Sequence, residues 1–351
     1  MAFNTALTSA ASALLTCYSY AACVANIIMA SSSDSKGHID RPRDHPDEAP
    51  AAPAPSTAAS LHEPTVADVL VTKAMLSKAL PREIVDIIID LAEYWPRTTT
   101  VVAGAGSAIG SGGTDENVFV LRSPPLGLPS WSSTPRAPFG AAHQGTPPSP
   151  RPPGQDFSAD DFQKVMGAPT SLLAHPCRRL VFTFRSHDQG WGGDPDCRGT
   201  YRRSWTWFEV GLERWCKPNP ESAPQQQLPS LNVADLCTVI PQVQPRPNGN
   251  GYRFGHPLLP APHLKIQCNV TASDHEKEHR VVWSYTDEVD PERDVEAAEA
   301  LDEQGRGKAT GDGKFVRDLK LGDVITVWSK ARFPGWANHV QHVKLEVYYA
   351  V

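Results

Sequence analysis

Proline limits this chain more than any other feature. Its 33 prolines and 25 glycines crowd into stretches that also lack large apolar residues. Such stretches cannot bury enough surface to offset the entropy of ordering their backbone. A chain of 351 residues has room for two domains of ordinary size, yet the residues able to build a core lie mostly in its second half. Residues 1–60 are therefore expected to form a disordered extension and linker. The Pro/Ser/Gly-rich insertion at 124–156, which contains Thr146-Pro-Pro-Ser-Pro-Arg-Pro-Pro-Gly154, is expected to be disordered as well.

The formal charge of −6 gives no electrostatic reason to expect nucleic acid, because phosphate neutralisation needs clustered Lys and Arg. Seven cysteines form an odd set without a CxxC. That argues against a disulfide framework and against a cysteine-rich zinc module, and reduced thiols fit a cytoplasmic or nuclear compartment. From Met1 to Ser33 there is no charged residue. Ala6 to Ala30 is apolar enough for a span or signal peptide but has no Lys or Arg before it. Secretion or membrane anchoring through residues 1–30 is the alternative, and membrane association follows only if residues 6–30 are retained.

Order returns at Thr65-Val-Ala-Asp68, a capping-box pattern ahead of Val69 and Leu70. A second helix is expected from Pro81 to Trp95 within a helical segment at 61–97. Its Ile84, Ile87, Ile88 and Leu91 fall at i, i+3, i+4, i+7 and predict one apolar stripe, with Glu83, Asp86, Asp90 and Glu93 opposite. The stripe packs either against the rest of the chain or in a partner's groove.

After Pro96 the pattern changes. Thr98–Val102 and Asn117–Leu121 read as strands, with Ala103–Gly113 as a glycine-rich loop between them. Further short runs recur at 179–185, 201–212, 264–271, 280–286, 323–331 and 340–351. Several short strands with long irregular connections predict a mainly β protein over 98–351: an antiparallel β-sandwich, jelly-roll or galactose-binding-like, preceded by the short helical segment. One helix is expected to interrupt the series, with Asp290 as N-cap, Pro291 at its first position and Gly305 as terminator.

No motif here carries a convincing catalytic reading. His275-Glu276-Lys277-Glu278-His279 matches HExxH, which serves zinc proteases by placing two imidazoles on one helix face. Here it joins two strand-like segments and reads as a hairpin tip; a zinc hydrolase using His275, Glu276 and His279 is the distant alternative. Ser186 and His187 are neighbours on a strand and point to opposite faces, which disfavours a triad. Neither a metal nor another cofactor is expected.

The most informative segment is Ser186-His-Asp-Gln-Gly-Trp-Gly-Gly193, and Arg332-Phe-Pro-Gly-Trp336 resembles it in pairing glycine with tryptophan. Both turns are expected at one end of the sandwich. There His187, Asp188, Gln189, Trp191, Arg332, Trp336 and Asn338 would form a recognition surface. The competing reading is that the turns lock strands, with Asp188 and His187 bonded to nearby backbone.

Three resemblances add to this. Leu80-Pro81-Arg82-Glu83-Ile84, followed by an Ile-rich helix, resembles the opening of an F-box, the segment by which substrate receptors dock onto ubiquitin-ligase scaffolds. The two tryptophan turns and the final Val-Tyr-Tyr-Ala-Val resemble a fungal protein family with this order of parts. The second half also resembles galactose-binding-like sandwiches that follow F-boxes. Together they imply a non-catalytic adaptor: Leu80, Pro81, Ile84, Ile87, Ile88 and Leu91 would dock a protein partner, and the sandwich would recognise a second one. The alternative is a carbohydrate-binding sandwich without the ligase role.

Overall fold

A computed structural model describes residues 63–128, 145–152, 154–166, 175–217 and 236–351, all within the unit Glu63–Val351. The expectation of disorder for 1–60, and for 129–144 and 153 of the insertion, lies outside the described residues.

The runs with alternating apolar residues form strands, and the alternation builds the core. β4 (Cys177–His187) lies in a sheet of order β1-β12-β4-β10, with β1 spanning Arg97–Ile109, β10 Lys277–Ser284 and β12 Ala337–Tyr349. All pairings in it are antiparallel. Register sets Leu180, Phe182 and Phe184 of β4 opposite Val347, Leu345 and Val343 of β12. The second sheet centres on β5 (Thr206–Lys217), paired with β11 (Val324–Ala331), which pairs in turn with β2 (Asn117–Arg122). Phe208, Val210 and Leu212 of β5 meet Ile325 and Val327 of β11 on the inner side. Together with the apolar faces of β4 and β12 they form one buried cluster. Phe184 and Phe208 stack across the layers with centroids 4.1 Å apart. The chain is thus mainly β, with two antiparallel sheets packed face to face behind a short helical segment.

Several boundaries differ from the sequence reading, each for a local reason. The expected loop after Val102 is part of β1. Gly104 and Gly106 take φ of +66° and +84° and absorb a bulge between Ala103 and Gly106, so the strand bends instead of ending. Both ends of the 124–156 insertion are ordered. Leu126 and Leu128 are buried, and Gln155–Asp156 forms β3 against Lys217 and Cys216. The helix expected from Pro291 begins later, as α4 (Val295–Glu303), with Asp294 at the N-cap position but its carboxylate bonded to the Asp290 amide. Asp290 instead accepts the Glu292 amide at 2.9 Å and closes a turn; Gly305, at φ +82°, does end the helix region.

Elements without a sequence expectation are α3 (Ala159–Met166), α5 (Lys314–Asp318), β6 (Leu236–Ile240) and the hairpin of β7 (Gln242–Pro245) and β8 (Tyr252–Gly255). β6 and β9 (Lys265–Cys268) both pair with the same edge of β5, β6 at Leu212–Trp215 and β9 at Trp207–Glu209. The β7–β8 hairpin follows Pro241, whose peptide bond with Ile240 is cis.

The helical segment comprises α1 (Val66–Leu76) and α2 (Arg82–Leu91). The capping box forms as the sequence predicts, with Thr65 and Asp68 bonded reciprocally. α2 stops at Leu91, short of Trp95, because Glu93 turns into the left-handed region at φ +49°. Its packed face is also not the expected stripe. Val85 and Ile89 are buried with Val69 and Trp95, whereas Ile87 and Leu91 are 53% and 77% exposed. Ile84 and Ile88 are half-buried, and Leu80 packs at the margin of the cluster.

The reason lies in the charges. Asp90 accepts Arg178 Nε and Nη2 at 2.8 and 2.9 Å and the Trp95 indole N–H at 2.9 Å. Asp86 pairs with Lys73 at 2.6 Å. Half-buried charge-assisted hydrogen bonds of this kind outweigh a four-residue apolar periodicity, and they turn the acidic side of α2 inward.

Candidate functional site

The two tryptophan turns do lie together at one end of the sandwich. The Gln189 side-chain carbonyl accepts the Ala337 amide at 3.2 Å. A side chain added at Gly335 would lie 3.0 Å from the Trp191 ring, and one at Gly193 would lie 3.6 Å from Trp336. The individual residues divide into two groups.

Asp188 is fully buried and accepts the amides of Gly190, Ala272 and Ser273 at 2.8, 2.6 and 2.9 Å. Burial pushes its carboxyl up, and the three backbone N–H groups pull against that shift. Asn338 is also fully buried, donates to the Trp207 carbonyl at 3.1 Å and accepts from Asn269 at 2.9 Å. Arg332 is 3% exposed. It donates to the carbonyls of Glu116 and Pro257 and to the Asn117 side chain, while its guanidinium lies over the Trp207 ring. These three are strand locks and are not presented to a ligand, a correction to their expected role.

The remaining four stay at the surface. Trp191 is 64% exposed, and Trp336, Gln189 and His187 are half-buried. His187 bonds the Asp188 carbonyl and stacks on His339 at 4.8 Å. Asn269-Val-Thr271 matches a glycosylation sequon, but Asn269 is 1% exposed and its amide group is bonded to Thr206, Asn338 and Ser186; a glycan has no room there.

The HExxH residues are not on a helix; Lys277, Glu278 and His279 belong to β10. His275 is an exposed turn residue, whereas His279 sits in β10, buried and bonded to the Tyr201 hydroxyl at 2.8 Å. Burial pushes the His279 imidazole down to about 4. No cluster of three or more potential metal ligands occurs among the described residues.

The structure adds a site that sequence reasoning missed. The outer face of the second sheet carries Glu209 of β5 with Trp328 and Lys330 of β11, and the β7–β8 hairpin and residues 256–263 cover it. Between sheet and cover lies a cleft of about 560 Å³ lined by these residues and by Gln242, Gln244, Arg253, Phe254, His256 and His263, within the size range of ligand sites. Lys330, 1% exposed, lies 3.4 Å from the Glu209 carboxylate, donates to Asn117 at 3.1 Å and donates to His256 Nδ1. Burial, against the pull of Glu209, lowers the Lys330 amine to about 8. Burial first, then Lys330 and Arg332, push the His256 imidazole down to about 2.

Gly211 makes the closeness of cover and sheet workable. A side chain there would lie 2.3 Å from the Thr326 hydroxyl, 2.7 Å from the Ile240 carbonyl and 2.8 Å from the Trp328 indole nitrogen. The signal in the sequence was charge recurring on one side of the alternation: Glu209 and Glu213, four residues apart on β5, and Lys330 on β11. On a strand that pattern marks a face.

Fold and site together define a mainly β protein whose sandwich carries a helical pair on one side and a polar cleft on the outer face of one sheet. Comparison with family models, with curated proteins and with solved structures finds no match. Among the described residues, no helix is long and apolar enough to cross a membrane.

Proposed function

We propose that this chain is a non-catalytic interaction protein in which α1 and α2 dock a protein partner and the sandwich recognises a second ligand. The observation that carries the reading is the orientation of α2. Asp86 and Asp90 are spent on ion pairs to Lys73 and Arg178, while Ile87 and Leu91 are left in water at 53% and 77% exposure. Leu70, Val71 and Met75 of α1 are also more than half exposed. Covering what remains exposed of these side chains favours association by about 25 cal/mol per Å² of apolar surface, less the cost of association. The F-box resemblance of Leu80–Ile84 names a ubiquitin-ligase scaffold as the partner to test first. Co-purification of the full chain with the purified scaffold subunit that F-box helices engage tests it; the chain should retain that subunit and exclude unrelated helical proteins.

One observation favours the alternative of a carbohydrate-binding sandwich. Trp191 offers a 64% exposed ring, the stacking surface that sugars use, steadied by Gln189, whose amide is held between the Trp191 carbonyl and the Ala337 amide. Sugar-dependent protection of Trp191 from oxidation tests that reading.

A further inference from the structure

The cleft over the second sheet has a directional chemistry that follows from one hydrogen bond. A lysine ammonium has three donors and no acceptor. Because Lys330 donates to His256 Nδ1, that nitrogen carries no proton. The neutral ring therefore keeps its proton on Nε2, where it is a donor, and the push on this imidazole down to about 2 keeps it neutral throughout the physiological range. No hydrogen bond of Nε2 occurs among the described residues.

The remaining groups follow the same direction. Glu209 has its oxygens engaged by the Trp207 indole N–H at 2.9 Å, the Ala261 amide at 3.4 Å and Lys330 at 3.4 Å, so its charge is matched within the floor. Arg253, on β8, is exposed, lines the cleft and has no ion pair among the described residues. The side-chain amides of Gln242 and Gln244 also line the cleft, and Gln244 lies across the bare Cα of Gly255. The unused polar groups are thus the His256 N–H, the exposed His263 imidazole, a guanidinium and two amides, with one unbalanced positive charge. The rest of the lining is apolar or aromatic: Val239, Ile240, Pro241, Phe254, Leu264 and Trp328.

We infer that this cleft binds a small carboxylate on an apolar, ring-sized body. The carboxylate takes the Arg253 guanidinium, which can meet it with two parallel N–H donors, and the His256 Nε2–H. The ring lies against Phe254, whose own ring packs edge-on against Trp328 at 5.3 Å. A single unpaired guanidinium suits a monoanion better than a phosphate dianion. The proposal is independent of helix docking, since no residue of α1 or α2 lines the cleft.

The test uses the full chain with benzoate, phenylacetate and indole-3-acetate as probes, and benzamide, phenylacetamide and acetate as controls, followed by calorimetry and saturation-transfer NMR. The aromatic acids bind, and the amides and acetate bind at least about tenfold more weakly. Arg253→Gln, on the exposed hairpin, weakens the acids by about tenfold, leaves the thermal midpoint in place and does not alter the response to the amides. His256→Phe weakens the acids as well, and its folding is checked by circular dichroism. Equal binding of acids and amides, no binding of any acid, or acid binding unchanged in Arg253→Gln each overturns the proposal.

Discussion

Asp90 and Arg178 form a two-pronged ion pair, 2.8 and 2.9 Å, that fastens α2 to the start of β4 in the sandwich. This contact decides which side of the helix faces water. It is also continuous with the core, because Arg178 lies over the Tyr285 ring and Trp95 meets Tyr285 edge-on at 6.1 Å. Asp90→Ala leaves the buried Arg178 guanidinium without its carboxylate and the Trp95 indole N–H without its acceptor. We expect a loss of about 2–3 kcal/mol, read by urea denaturation, with Lys73→Met smaller and additive only in part.

The end turns should separate a lock from a surface. Asp188→Ala strands three backbone amides that the carboxylate now satisfies, which predicts a loss of at least about 3 kcal/mol. Trp191→Ala removes a ring that is mostly in water already, and its stability should stay within about 0.5 kcal/mol of the parent. The reverse ranking of these two variants would show that the turn is held by its tryptophan.

Most of the sandwich was legible because period-two alternation survives in a strand buried on one face, as in Leu180–Phe182–Phe184. The helix stripe misled because periodicity ranks faces by apolarity alone. It has no access to Arg178, which is 88 residues away in sequence from the aspartate it binds. The capping pair Ser158–Asp161 that opens α3 and the Asn248-Gly249 turn of the β7–β8 hairpin were readable local signals. Both sit in proline-rich surroundings that pointed to loop. The cleft was not readable, since its floor and cover are brought together only when β6 and β9 share one edge of β5.

Gly211 supplies a stability test of that cover. Gly211→Ala places a methyl against the Thr326 hydroxyl, the Ile240 carbonyl and the Trp328 nitrogen. We expect about 1–3 kcal/mol of destabilisation, read as a lower thermal midpoint. An unchanged midpoint would mean that the Ile240–Pro241 segment does not hold this position in solution.

Acid should loosen the fold through buried imidazoles. His279 is pushed from 6.5 to about 4 by burial, with Lys277 adding to the shift, and His256 is pushed lower still. Both folded values lie below the unfolded one, so the unfolded chain binds more protons as pH falls below 6.5, and stability falls with it. Between pH 6.5 and 5 each group removes on the order of 2 kcal/mol. His279→Gln should flatten part of this slope in denaturation curves taken at several pH values, and a slope that it leaves intact would count against the burial of His279.

The central claim is that the outward face of α2 docks a partner and does not hold the fold. Titration calorimetry of the purified ubiquitin-ligase scaffold subunit into the full chain and into the Ile87→Asp/Leu91→Asp double variant tests it most directly, with thermal midpoints measured alongside. The account predicts binding to the parent chain, a loss of at least about tenfold in the variant and an unchanged midpoint. No binding to the parent, or equal binding by both chains, would contradict it.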